Sequence, residues 1–304
     1  MGGKMKGSLA VNGNLIGMVG GIILSTDSVF IRLMSIDNSW LIVALRGICM
    51  WVICLLVWIF WRQSRSTLGQ PWLTRDNLLS TLFFCIASAC FVNALNHGNV
   101  ATVLVIISGT PFISALIARL LFKVAIDRSV MLAALAGIIG VGIVMSGRGM
   151  GHDGVANLYA LATAISMALA FIFTSRVSGG TAGLPSLGAL LASVLIVLGS
   201  GSDVVTSLNM LSAAQLGWVM AEGALIMPLA MGLITLSTRF VSPANAGLFL
   251  LLETALAPLW MYLFLGEVPT VQAVIGGAII IITVMTQSLY ARRKESASRC
   301  AEVA

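Results

Sequence analysis

The sequence predicts an all-α integral membrane protein whose ten transmembrane helices form two inverted five-helix repeats, with both termini in the cytoplasm. Three observations carry this. Of 304 residues, 59% are apolar and only 9% charged, against roughly 25% charged in a soluble domain, so polar side chains are too few to cover a water-exposed surface. Ten runs of about 20 mostly apolar residues follow one another through short connections. Basic residues gather in alternate connections, as they do in a chain that threads repeatedly through a bilayer.

The first run, near 14–34, follows Lys4 and Lys6. Charge before an apolar run suits a secretory leader, but no clear small-residue cleavage site interrupts it, so it is read as a retained span. Further runs lie near 40–61, 77–96, 99–121 and 129–147, then near 156–177, 184–200, 213–237, 242–264 and 269–290. Backbone groups in lipid must be satisfied within the segment, and runs of this length are helices rather than barrel strands. The first repeat is expected over 1–148 and the second over 149–304, ending in a short basic tail. No connection leaves room for a separate soluble domain.

A net charge of +6 would suit a nucleic-acid binder, but the Lys and Arg residues sit in short loops and form no exposed basic face. With the N-terminus inside, Lys4, Lys6, Arg62, Arg65, Arg75, Arg119, Lys123, Arg128, Arg176, Arg239, Arg292, Arg293, Lys294 and Arg299 fall on the cytoplasmic side. That is 14 of the 17 basic residues; Arg32 and Arg148 fall outside and Arg46 lies within a span. Cys49, Cys54, Cys85 and Cys90 lie inside apolar runs and Cys300 in the tail, so no disulfide framework is expected. His97 and His152 have no ligand-spaced partners, and neither a metal nor another cofactor is expected.

Shifting the chain against itself so that Asn14-Leu15 falls on Asn157-Leu158 also aligns Ile22 with Ile165, Phe30 with Phe173 and Ala101 with Ala244. Thr110-Pro111 falls on Glu253-Thr254, so each half has a disturbed fourth segment at one place. Five spans per half force the second half to enter the membrane with opposite topology. Inverted repeats of this kind occur in many secondary transporters, with the substrate at the repeat interface near the midplane.

Ionisable groups inside lipid are costly and face a cavity or a partner. Asp27 lies about 10 residues before the turn near Ile36 and Asp37, and Arg46 about 9 after it, which at ~1.5 Å per residue puts both at one depth. Either they form a buried ion pair fastening two helices, or Asp27 is a proton or ammonium site. Glu253 lies close to mid-depth with no basic residue at an obvious matching depth. It is either a cavity carboxyl serving a proton-coupled carrier or a group bonded to a neighbouring helix backbone. Glu222 ranks below these, since the aligned Leu79 does not echo it. Ser108, Thr110 and Ser166 complete the candidate binding set. Pro111, Pro228 and Pro258 free carbonyls inside spans and are candidate kinks. Trp51, Trp58 and Trp260 lie deep and are read as packing or lipid-facing.

The sequence resembles the EamA-type, ten-helix branch of the drug/metabolite transporter superfamily. Ser25-Thr26-Asp27-Ser28-Val29-Phe30-Ile31-Arg32 resembles that family's small-polar segment ending in a basic residue, and Ala44-Leu45-Arg46 its characteristic arginine. Glu253, then Leu265-Gly266-Glu267 and a glycine-rich last helix, resemble its "E-P … L-G-E … G" pattern, with Thr254 in place of the usual proline and Pro258 one turn later. In overall character the chain is most similar to the YddG-type amino acid exporters. The resemblance implies a bacterial inner membrane, a central cavity between the repeats and alternating access by their relative rocking.

The expected function is therefore export of small amphipathic metabolites, amino acids including aromatic ones, with export of cationic drugs as the alternative. Three deep acids against one arginine suit an ammonium group, and Met and Leu suit a plastic pocket. A sugar-phosphate carrier would need more intramembrane Lys or Arg. An embedded enzyme would need a nucleophile–base pair or a metal cluster, and the sequence shows neither; a Walker-type loop is also missing. Partners are a small-molecule substrate and the lipid bilayer, with no nucleic acid, and a monomer is expected to suffice.

Overall fold

Helices account for nearly all of the structure, a computed structural model that describes residues 13–60, 74–97, 100–122, 128–146, 154–177, 180–266 and 271–303. In chain order they are α1 (Gly13–Leu24), α2 (Asp27–Met34), α3 (Ser39–Phe60), α4 (Arg75–His97), α5 (Val100–Ile107), α6 (Thr110–Phe122), α7 (Arg128–Ser146), α8 (Gly154–Arg176) and α9 (Leu184–Asn209). They continue with α10 (Ala213–Ala221), a π-turn at Glu222–Ile226, α11 (Met227–Ser237), α12 (Pro243–Leu265) and α13 (Val271–Val303). Among the described residues, six stretches are long and apolar enough to cross a membrane; Thr110–Leu121, Arg128–Gly140, Leu184–Gly199 and Val274–Gln287 are shorter apolar helices. The chain is a multi-pass membrane protein.

Three of the expected spans are interrupted, each for a local reason. Between α1 and α2, the hydroxyls of Ser25 and Thr26 donate to the carbonyls of Ile22 and Ile23 at 2.6 and 2.8 Å. Side chains of this type compete with the helical ladder, and Asp27 then opens α2 at the end where a carboxylate suits the helix dipole. Between α5 and α6, Pro111 has no N–H to give, and the Thr110 hydroxyl takes the Ile107 carbonyl at 2.5 Å. Pro228 would meet the Ala224 carbonyl in a regular helix. The wider π-turn spans that position, its last bond running from the Met227 N–H to the Glu222 carbonyl.

Pro258 departs from expectation, because α12 runs through it without a break. Two helices outrun their apolar windows. α9 continues to Asn209, held past its lipid-length portion by buried Val204 and by Ser207, which accepts from Asn38 Nδ2 at 3.0 Å. The basic tail is helical to Val303, its Ala, Arg, Lys and Glu being strong helix formers. Hydropathy measures the length that sits in lipid and does not register helix beyond it. Glu267 lies outside the described residues.

The most extensive packings join the first half of the chain to the second: α4 with α8, α7 with α13, α3 with α9 and α1 with α11. Small residues allow the approach. On α8, Ala156, Ala160, Ala164 and Ala168 recur every fourth residue and are all buried. On the outward faces, Phe60, Leu120, Leu198 and Val271 stand exposed, as a lipid-facing surface requires. The part of α3 around Arg46 and Gly47 is closely held. A Cβ on Gly47 would overlap Ser193 Oγ and the Ala189 carbonyl of α9, while one on Gly223 would lie 3.0 Å from the Arg46 carbonyl.

Gly47→Ala is therefore expected to cost about 1–3 kcal/mol by overpacking, read as a lowered unfolding midpoint in detergent. Gly142→Ala, where a Cβ meets nothing within 4 Å, should show no loss. Equal midpoints for both variants would contradict the close approach of α3 to α9.

Candidate functional site

Arg46 stands about a third of the way along α3 with 4% of its surface exposed, and two acids converge on it. Its Nε is 3.1 Å from Glu222 Oε1, an ion pair by distance without the alignment of a hydrogen bond. Its Nη2 is 3.5 Å from Asp27 Oδ2 and also donates to the Met227 sulfur at 3.0 Å. Asp27 and Glu222 are as buried as the arginine. The two acids arrive by way of the interruptions: Asp27 is the first residue of α2 after the Ser25–Thr26 break, and Glu222 is the first residue of the π-turn. Gly223, with no side chain, lets that turn press against the α3 backbone at Arg46.

A cavity opens on one side of this cluster. Asp27, Arg46 and Glu253 line it, whereas Glu222 lies behind the arginine and does not. The rest of the wall is Phe84 and Phe91, the methionines Met50, Met167, Met227 and Met231, and a few aliphatic residues, with Ser88 and Thr163 as uncharged polar groups. The centre of a water molecule can range over about 60 Å³ of it; a single water needs ~10–15 Å³ on that scale, so there is room for several. The Arg46 guanidinium carbon lies 6.0 Å from the centre of the Phe91 ring, within cation–π range.

Hydrogen-bonding capacity is left over. Among the described residues, Arg46 Nη1 and Asp27 Oδ1 have no hydrogen-bond partner, and Glu253 takes part in no described hydrogen bond or ion pair. Buried polar atoms are normally paired. Both atoms belong to residues that line one cavity, so a donor and an acceptor at its wall lack protein partners, and a ligand or water reaching them would need the complementary groups.

The sequence candidates thus divide. Asp27 and Arg46, expected at one depth, meet as an ion pair. Glu253 faces the cavity from α12. Glu222, ranked lowest of the acids, is instead the nearer partner of Arg46. The depth count that paired Asp27 with Arg46 identifies it as well, since Glu222 lies about as far past the helix cap at Ser212 as Arg46 lies past the turn at Asp37. Ser108, Thr110 and Ser166 are buried but form no part of the cavity wall, and the Thr110 hydroxyl is occupied by the Ile107 carbonyl. Trp260, read as packing or lipid-facing, donates from Nε1 to Ser25 Oγ at 2.7 Å. Ser88, Thr163 and the methionine and phenylalanine wall were not singled out. Apolar residues in a membrane helix give no signal in one sequence as to which of them face a cavity.

The EamA-like transporter family matches residues 11–146, the segment that supplies Asp27, Arg46 and half of the cavity wall. The matched segment is less than half of the chain's 304 residues. No curated protein matches the sequence. Solved structures share the fold, among them a protein crystal structure with a TM-score of 0.73 over 92% of this chain and 98% of that one. At 17% identity it speaks for the fold alone. Its coverage extends the shared architecture well beyond residues 11–146.

Removing the arginine alone leaves Asp27 and Glu222 buried without a counter-charge, so Arg46→Ala should destabilise by about 3–5 kcal/mol. The combined variant Arg46→Met, Asp27→Asn, Glu222→Gln removes the charges together and should recover most of that loss. Chemical unfolding of both in detergent checks this; equal losses would show that the three groups do not act as a unit.

Proposed function

We propose that the chain is a carrier of ten spans in two inverted five-helix repeats, 1–148 and 149–304, seated in a bacterial inner membrane. It exports small amphipathic metabolites, amino acids including aromatic ones, by alternating access around the cavity. The observation that carries this reading is the pairing of open groups in one apolar chamber. Arg46 offers an unpartnered Nη1 to a carboxylate, and Glu253 offers a carboxyl group to an ammonium, as a zwitterion requires. The two phenylalanines and four methionines suit an apolar or aromatic side chain, the thioethers adapting to its shape.

The cavity wall also supports the repeat. Leu24 and Met167 stand at the offset that relates Asn14 to Asn157, as do Arg46 and Ala189, Phe84 and Met227, Ser88 and Met231, and Ile107 and Leu250, and all ten line the cavity. This is the spacing that aligns the two halves in sequence. A site built at equivalent positions of two repeats fits substrate binding at their interface.

A second reading, export of lipophilic cations, is favoured by a different observation. Three carboxyl groups, Asp27, Glu222 and Glu253, surround a single guanidinium, and aromatic faces attract cations.

Counterflow in proteoliposomes tests both readings. With unlabelled amino acids inside, labelled phenylalanine, leucine and threonine should enter saturably and with trans-stimulation. Glu253→Gln should weaken the apparent affinity roughly tenfold or more, the worth of a hydrogen bond to a charged group. Saturable uptake of an aromatic quaternary ammonium with no amino acid uptake would favour the second reading. Failure of folded protein to move either class would exclude both.

A further inference from the structure

The two half-helices that bring acids to Arg46 also pack on each other. Phe30 of α2 meets Trp218 of α10 edge to face, ring centres 6.0 Å apart, and Gln215 Nε2 donates to the Ser35 carbonyl at the tip of α2 at 3.1 Å. Each is joined to the rest of its span through backbone that is not regular α-helix: the Ser25–Thr26 turn for α2 and the 222–226 π-turn for α10. The post they lean on is fixed, because α3 is pressed against α9 at Gly47 and Ser193 Oγ donates to the Val43 carbonyl at 3.4 Å. Asp27 is itself part of the cavity wall, so any swing of α2 changes the cavity. At the tip, the connection after α2 is tied down by two hydrogen bonds, Asn38 Nδ2 to Ser207 Oγ at 3.0 Å and Asn96 Nδ2 to the Asp37 carbonyl at 2.7 Å.

The aligned positions in the opposite halves are built differently. There α4 and α8 run unbroken, with Ser80 and Thr174 sharing a hydrogen bond of 2.6 Å and Arg176 3.6 Å from Asp76. Of these two ends, the α2–α10 end is the jointed one.

We infer that α2 and α10 are one gate, moving together about the Ser25–Thr26 turn and the π-turn, and that Arg46 is its catch, holding both inner ends through Asp27 and Glu222. A cargo group that takes Arg46 or Asp27 loosens the catch and couples occupancy of the cavity to opening at this end. The coupling to cargo rests on the carrier reading; the jointed gate does not.

Disulfide formation measures the gate without reference to transport. In a background with the five cysteines replaced, Asp37→Cys with Asn96→Cys reports closure of the gate tip, joining the connection that follows α2 to α4, and Ser80→Cys with Thr174→Cys reports the opposite end. Neutralising the catch with Arg46→Gln, Asp27→Asn and Glu222→Gln should slow the first cross-link by roughly tenfold, as a catch worth ~1.4 kcal/mol would give, and leave the second unchanged. General loosening would slow both, and either that result or no change in the first would overturn the gate. In proteoliposomes, cross-linking the tip should abolish counterflow and reductant should restore it. Counterflow that persists through complete cross-linking would also overturn the gate. Absence of counterflow in the reduced protein counts against the carrier reading instead, and the cross-linking rates still decide the gate.

Discussion

One guanidinium, buried in the first half of α3, organises the centre of this molecule. Arg46 is out of reach of bulk water and carries a charge that the surroundings must balance. Two acids do so, and each reaches it only because its helix departs from regular geometry at that point. Had the first span run through Ser25 and Thr26 as a continuous helix, Asp27 would sit elsewhere on its surface. Had the span over residues 213–237 kept a regular turn before Pro228, Glu222 would be rotated away. Charge balance and helix irregularity are therefore one constraint seen from two sides. The glycines at 47 and 223 belong to it too, since they set how closely the neighbouring backbones approach the arginine.

The same constraint shapes the cavity. Glu222 occupies the Nε side of Arg46 and Asp27 part of the Nη side, leaving one edge of the guanidinium uncommitted beside an apolar wall. The chamber thus divides into a few polar atoms without protein partners and a polarisable apolar wall, of which Met227 and Phe91 lie against the guanidinium itself. An amphipathic small molecule matches that division in either of its two candidate forms. The EamA-like match over residues 11–146 covers the helices that bring Asp27 and Arg46 to this chamber, and the shared fold extends across nearly all of the chain.

Much of this was legible in the sequence because lipid imposes simple rules. Apolar runs gave the helices, with α3, α4, α7 and α12 beginning and ending within a few residues of their windows. Counting residues from a turn gave the common depth of Asp27 and Arg46. The misses share a physical origin. Depth says how far a side chain lies from the surface but not which way it points, so Glu253 and Glu222 could not be sorted between chamber and arginine. Ser108, Thr110 and Ser166 have the right polarity and depth but point elsewhere, the Thr110 hydroxyl serving the helix break beside it. The four chamber methionines are indistinguishable by type from those that pack or face lipid. Hydropathy likewise stops at residue 200, whereas the contacts of Val204 and Ser207 carry α9 further.

The interleaved packing bears on how the chain is made. The main partners of α1, α3, α4 and α7 are α11, α9, α8 and α13, and every one of those is synthesised later. When the segment 1–148 has entered the bilayer, its chief mating faces are still occupied by lipid or by temporary neighbours. Order in that half must wait for the second to arrive and displace them. Assembly is thus a late, cooperative event spanning the whole polypeptide, and a chain interrupted after Arg148 has lost the partners of the half it retains.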